Sequence, residues 1–509
     1  MNNLQRSDVS KVAKGAGTSL VGIAVGRGLF FLNQVIIARV LGAESFGLYA
    51  LGLALIRLAA ILSSGGLNTG GTRFVSIYAG KDPARLKGAI FSTLSVSVLN
   101  SVLIAMAVLL FGHLVTTTLF QRPDLDSIVK LFALGLPFDT LLYVISNLLL
   151  GFQTTRFTVY IKNFIQPVAD SIFLIFFCFS GFGLSGAIYA FIFSYGIASL
   201  FGIYFLIKIF PGLRYSSVRP VFAFKEIMAY SAPLLFVTLL QYFITWLDTL
   251  MLGYFGSPED VAVFRAASQF PQMMMLFLVA TGSIYSSMAA SCYSEGEIAR
   301  FSNIFRLTTK WISYIVIPIF LFLVFSSKEI MLIFGSQYVA SGQTALILLS
   351  IGQLINCMTG CCGLTLMMTS RQSLELFNTT CVVFLSILAD IFLIPRYSVL
   401  GAAISNCLAL SLVNVIRILE LNKLYKIRIV SQGIGRYTFP IVFSISFFII
   451  EQYVMKVHFH YIIQILFNFS IVAFVFGMYW ILVRNKLDTE DRLVFELALN
   501  RFHASHKVS

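Results

Sequence analysis

The sequence predicts an all-α polytopic membrane protein of about fourteen transmembrane helices, built as two six-helix copies with two extra helices at the C-terminal end. Three observations carry this. Of 509 residues, 58% are hydrophobic and only 11% are charged, whereas a water-facing surface takes about 25% charged residues. Apolar runs of roughly 18–25 residues, long enough to cross a hydrocarbon core of about 30 Å, recur along nearly the whole chain. The chain also compares with itself at a fixed shift of 215 residues. Where no water is available the backbone must bond to itself, and runs that are continuous rather than alternating select helices over a barrel.

Taken in order, hydropathy sets the helices at about 15–38, 46–66, 88–112, 128–151, 163–180, 184–208, 228–254, 260–289, 309–326, 342–368, 375–395, 398–419, 435–455 and 461–483. The polar, basic start MNNLQRSDVSKVAKGAG runs into a full-length span, unlike a removable signal peptide. The tail LDTEDRLVFELALNRF (487–502) has an acidic start and apolar residues at helical spacing, which predicts a short amphipathic cytoplasmic helix.

The net charge of +14 does not imply nucleic acid, because its placement explains it. With a cytoplasmic N-terminus, Arg73, Lys81, Arg85, Lys87, Arg156, Lys162, Lys208, Arg214, Arg219, Lys225, Arg300, Arg306, Lys310 and Arg371 all fall on the cytoplasmic side. The opposite side holds little beyond Arg39, Arg122, Lys328, Arg396 and Lys456. This is the positive-inside asymmetry, and it puts both termini in the cytoplasm. The seven cysteines sit mostly inside spans, and CMTGCC (357–362) has no partner motif, so neither a metal site nor a disulfide frame is expected. No cofactor is expected either.

The 215-residue shift superposes Asn33 on Asp248, Glu44 on Glu259, Tyr49 on Phe264, Arg156 on Arg371, Asn163 on Asn378, Gly186 on Gly401 and Ala187 on Ala402. Each pair occupies the same place in its copy. Six spans is an even number, so the copies share one orientation about an axis along the membrane normal. The expected organisation is a first lobe at 1–207, a cytoplasmic interlobe linker at 208–227, a second lobe at 228–424, helices 13–14 at 425–484 and a cytoplasmic tail at 485–509. The linker KIFPGLRYSSVRPVFAFKEI suits either a segment along the headgroup layer or a plain connection.

No loop on the non-cytoplasmic side exceeds about twenty residues or gathers Asp, Glu and His. The chain also lacks GxSxG, HExxH and P-loop motifs. Transport is therefore expected rather than catalysis, and a membrane glycan polymerase or ligase is disfavoured. The informative residues are charges in oil. Arg27 and Arg57 fall near the bilayer midplane on consecutive helices, where an arginine costs at least about 2.5–3.5 kcal/mol. They are expected to line a cationic cavity, or else to pair with Asp139 and Asp170. Arg265 near the start of helix 8 joins them, and Pro271 is expected to loosen that helix. Arg417 is expected to snorkel to the cytoplasmic surface. Asn33 and Asp248 are placed facing the seam between copies, with Gln241 two turns inward. Asp248 and Asp390, with Asp139 and Asp170, are the candidates for carrying a coupling proton or sodium ion. Such a cationic wall suits an anion with a large attached group, since guanidinium forks bind phosphate oxygens bidentately.

The segment ARVLGAESFGLYALGLALIRLAAILSSGGL (38–67), with Leu41, Gly42, Gly47 and Tyr49 and then Thr72-Arg73-Phe74, resembles the polysaccharide transporter branch of the multidrug/oligosaccharidyl-lipid/polysaccharide exporter superfamily. The helix starts LSGAIYA (184–190) and VLGAAIS (399–405) extend the likeness. The resemblance implies two lobes in a V around a central cavity. It also implies alternating access and a polyprenyl-pyrophosphate-linked oligosaccharide moved from the inner to the outer leaflet of a bacterial plasma (inner) membrane. In the lipid II flippase branch, cationic residues on helices 1, 2 and 8 meet the pyrophosphate; Arg27, Arg57 and Arg265 lie on those helices here. Membrane lipids and polysaccharide polymerase or assembly proteins are the implied partners. A cation-coupled drug or metabolite antiporter of the same superfamily, or a lipid II flippase, is the alternative.

Overall fold

The computed structural model describes residues 3–214, 218–426, 438–450 and 460–483, with side chains from residue 22 onward except at 283, 284, 438, 439 and 480–483. Among the described residues the chain is helical throughout, with no strand. α1 (Asn3–Ser64) bends at Gly42, where φ is 83° and ψ is 174°. α2 (Leu67–Tyr78) is short. The rest of the first lobe is α3 (Pro83–Leu119), α4 (Pro123–Gly151), α5 (Arg156–Phe179) and α6 (Gly183–Ile209). The second lobe is α7 (Phe224–Phe255), α8 (Pro258–Ser294), α9 (Ile298–Phe325), α10 (Ser336–Met368), α11 (Gln372–Tyr397) and α12 (Val399–Tyr425). α13 (Thr438–Ile450) and α14 (Tyr461–Val483) follow.

Twelve of these helical stretches are apolar and long enough to span a membrane, and the first covers 43 residues, Gly22–Ser64. At 1.5 Å per residue that stretch would be about 65 Å long if straight. It is not straight. Asn33 bonds to Asp170, Asp170 accepts from Ser194, and Arg57 donates to the adjacent Tyr195. Residues 33 and 57 can both reach α6 at that point only if the chain folds back at Gly42, so α1 holds two passes. The shorter apolar α13 adds 13 described residues of helix, so the described helices agree approximately with the expected fourteen. The expected helix 461–483 coincides with α14. The flanks of the expected 435–455 helix and the tail helix at 487–502 lie outside the described residues.

The duplication is visible in packing. α3 packs on α4 as α9 packs on α10, α5 on α6 as α11 on α12, and α4 on α6 as α10 on α12. The returning arm of α1 lies on α4 as α8 lies on α10. The linker docks rather than hanging free, since the Val221 amide donates to the Ala84 carbonyl at the start of α3 (3.0 Å).

The lobes meet along α1 and α2 on one side and α7 and α8 on the other. At the Gly42 end the approach is backbone to backbone: a Cβ at Gly47 would overlap the Pro258 carbonyl. Two arginines of the first lobe reach helix ends of the second there. Arg122 donates to the Gly256 carbonyl at the end of α7. Arg39 donates to the carbonyls of Leu332 (2.7 Å) and Ile333 (2.6 Å), and to the Tyr461 hydroxyl of α14 (3.0 Å). Helix C-termini present unpaired carbonyls with partial negative charge, so a guanidinium is well placed on them. At mid-depth the Tyr242 hydroxyl donates to the Ala54 carbonyl (2.8 Å). At the opposite end Gly66 and Gly70 lie against Ser231 so closely that a Cβ at either would overlap it.

Candidate functional site

Arg27 stands 15 residues before Gly42 and Arg57 15 residues after it. Both guanidinium-bearing positions are therefore about 22 Å from the turn along the helix axis, deep in the apolar layer. Their surroundings differ. Arg57 turns into the first lobe, where Nη1 is 2.6 Å from Oδ1 of Asp139 on α4 and Nη2 donates to the Tyr195 hydroxyl on α6. It also lies near the faces of Phe191 and Tyr195. The pair is not sealed: the Arg57 side chain keeps 30% of its surface exposed, while Asp139 is 2% exposed. Arg27 is exposed and reaches one acceptor among the described residues, the Gln272 carbonyl on α8 at 3.5 Å, so it bridges the lobes.

A third cation belongs to this group. Lys162 was expected in a cytoplasmic loop, but the structure places it inside the membrane-spanning α5, on a wide π turn at Tyr160–Ile165. Its Nζ is 5.0 Å from the Tyr143 ring. The turn has a covalent cause: Pro167 has no N–H for the Asn163 carbonyl, and its ring crowds that group. The displaced Asn163 backbone lies against Gly26, where a Cβ would be 2.9 Å from Asn163 Cα and 3.0 Å from its oxygen. The glycine thus lets α1 seat on α5 beside Arg27.

Other expectations need correction. Asn33 does not face the seam; it is buried and donates to Asp170 (2.8 Å) while accepting from Ser171 (2.8 Å). Asp170 is thereby held by Asn33 and Ser194 and does not pair with an arginine. Asp248 likewise turns into the second lobe, where Oδ2 accepts from Asn406 on α12 (2.7 Å). Gln241 is exposed. Arg265 is buried and stands apart from Arg57, its guanidinium 4.1 Å over the Trp246 ring and Nη1 without an acceptor among the described residues. α8 continues through Pro271 without breaking. Arg417 is not rescued by the surface; it forms a two-point pair with Glu375 on α11.

The second lobe holds the other acid. Asp390 on α11 is fully buried and neither oxygen accepts a hydrogen bond among the described residues. The nearby Ser405 hydroxyl is turned to the Ser386 carbonyl instead (3.3 Å). Asp390 lies close enough to Asp248 for their charges to interact. A small cavity opens beside Asp248, bounded by Asp248, Ser386 and Asn406. Tyr195, Tyr143, Asn406 and Trp246 are site residues that sequence reasoning missed, because nothing in an apolar helix tells which way a lone polar residue points. Among the described residues there is no cluster of three or more metal-ligating side chains.

The profile of the family described as "Polysaccharide biosynthesis protein" matches residues 12–286, more than half of the chain. The chain belongs to that family. The chain also matches the MatE profile over residues 233–392, which places it in the multidrug/oligosaccharidyl-lipid/polysaccharide exporter superfamily. Two curated relatives come from Haloferax volcanii. "Probable low-salt glycan biosynthesis flippase Agl15" is 24% identical over 195 residues, 38% of this chain and 41% of that one. "Probable flippase AglR" is 26% identical over 189 residues, 35% and 38% of the two chains. The chain thus spans about two fifths of the length of the curated relatives it matches.

Among solved structures, lipid II flippase MurJ in its inward closed conformation superposes with a TM-score of 0.74 at 15% identity, covering 92% of this chain and 99% of that one. An inward-facing multidrug resistance MATE family transporter gives 0.61 at 15% identity, covering 80% and 98%. At such identity these likenesses establish the fold of the chain alone.

Proposed function

We propose that the chain is a flippase that carries a polyprenyl-pyrophosphate-linked oligosaccharide from the inner to the outer leaflet of a bacterial plasma membrane by alternating access, with the Gly42 end outward. The observation that carries this reading is the arginine pair at equal depth, with Arg27 exposed at the seam between lobes and Arg57 partly exposed. A guanidinium in hydrocarbon is costly and persists where it faces protein, water or a ligand of opposite charge. Arg27 has one long backbone acceptor at a seam that must part during transport, which leaves its donors for phosphate oxygens. The flippase names of the relatives and the family description agree with such a cargo. A cation-coupled drug antiporter would be better served by an acid-lined seam, and an enzyme by a catalytic cluster.

The test is translocation by the purified chain in vesicles, using a fluorescent polyprenyl-pyrophosphate oligosaccharide and an impermeant quencher. Losing one charge-assisted bond to phosphate costs about 1.5–3 kcal/mol, so Arg57→Ala and Arg27→Ala should each slow translocation at least about tenfold. Arg57→Lys should retain part of the rate. Wild-type rates in both alanine variants would refute the reading.

Asp248 and Asp390 support coupling of this cycle to a proton or sodium ion. Two buried carboxylates, one with no donor, are costly unless neutralised, and a small cation beside Asn406 and Ser386 would do so. Asp390→Asn should remove the dependence of translocation on an imposed proton or sodium gradient while leaving cargo binding intact. A gradient dependence unchanged from wild type would exclude the pair.

A further inference from the structure

The first lobe sets two cations against one acid. Arg57 occupies Oδ1 of Asp139, while Oδ2 is buried and has no donor. Asp170, the other acid in the lobe's interior, is already engaged by Asn33 and Ser194. Lys162 has no acceptor among the described residues. Its ammonium rests over the ring of Tyr143, one turn along α4 from Asp139, and acts electrostatically on both Asp139 and Arg57. A lysine is a compact charge on a flexible stem, whereas an arginine fork matches phosphate geometry. The two cations are therefore suited to different partners, and Asp139 keeps one buried oxygen that no donor fills.

We propose that Lys162 is the exchange partner of Asp139: when a phosphorylated headgroup enters, the ammonium takes the carboxylate and releases the Arg57 guanidinium to the phosphate oxygens. This rests on the flippase reading and adds what that reading lacks, a way to free a paired arginine without stranding a buried acid. The group carries one net positive charge before the exchange, and no proton needs to move during it. Tyr195 holds the second arm of Arg57, so the arm that the exchange frees is Nη1, the one on Asp139.

The experiment measures binding of farnesyl pyrophosphate to the purified chain in detergent, with farnesol as the uncharged control. Lys162→Met should weaken pyrophosphate binding about tenfold, the scale of one charged hydrogen bond, because Arg57 then stays locked on Asp139. Lys162→Arg should bind as wild type. Adding Asp139→Asn to Lys162→Met restores the net charge and unlocks Arg57, so the double variant should regain most of the lost affinity. Farnesol binding should not change in any of them. A lysine that merely packs against Tyr143 would give no recovery in the double variant, and that result overturns the exchange. Wild-type binding by Lys162→Met overturns it too, provided Arg57→Ala is impaired. If Arg57→Ala itself binds pyrophosphate normally, the cationic site is at fault rather than the role of Lys162.

Discussion

Replacing Gly47 by valine should force the two lobes apart at the Gly42 end. The hydrogen at this position faces the backbone of Pro258, whose Cα would lie 3.0 Å from a new Cβ and whose carbonyl would overlap it. Neither side can turn away. Pro258 opens α8, and the preceding Ser257 is fixed by reciprocal bonds with Asp260 (3.2 and 2.9 Å). Overpacking of this kind costs about 1–3 kcal/mol, which biases an opening equilibrium about 5- to 150-fold. Spin labels on cysteines placed at the exposed Glu44 and Glu259, in a background without the native cysteines, should report a longer distance in Gly47→Val. An unchanged distance in a folded variant would mean that this approach does not keep the end closed.

The largest loss of stability in the first lobe is expected from Asp139→Asn alone. It leaves Arg57 and Lys162 inside the bundle with no counter-charge, since Asp170 is engaged elsewhere. Breaking a buried pair by removing one partner costs about 3–5 kcal/mol. The thermal midpoint of the purified variant in detergent should fall clearly, and adding Lys162→Met should recover most of the fall. A midpoint equal to wild type would show that Asp139 does not neutralise the pair.

The membrane fold was legible because oil leaves few options. Each long apolar run had to be a helix, and the 215-residue offset marked helices 1–6 and 7–12 as two copies of one unit. The bend in α1 was not legible as such: LGAESFG reads as a loop, yet a single residue in a non-helical conformation reverses the chain. The depth of Arg27 and Arg57 could be counted along the sequence. Their direction could not, because a helix that is apolar on every side gives no sign of which face meets a neighbour. Asp139 was open as a partner of Arg57 on charge and depth alone, whereas the pairing of Arg417 with Glu375, 42 residues away, is a separation that local pattern does not reach. Lys162 was misplaced for another reason. The polar dip from Arg156 to Asn163 resembles a loop, and only Pro167 hints that the helix continues through a widened turn.

The distance in sequence between Arg57 and Asp139 has a bearing on how the protein is made. Eighty-two residues separate the cation from its acid, so a ribosome adding about 5–20 residues per second takes roughly 4–16 s to supply the partner. During that interval the second pass, bearing Arg57, has left the ribosome without its neutralising helix. Such a pass is a poor candidate for early release into lipid. The first four helices should therefore linger beside the insertion machinery and leave it as a group, making the assembly of this lobe a collective step in biogenesis.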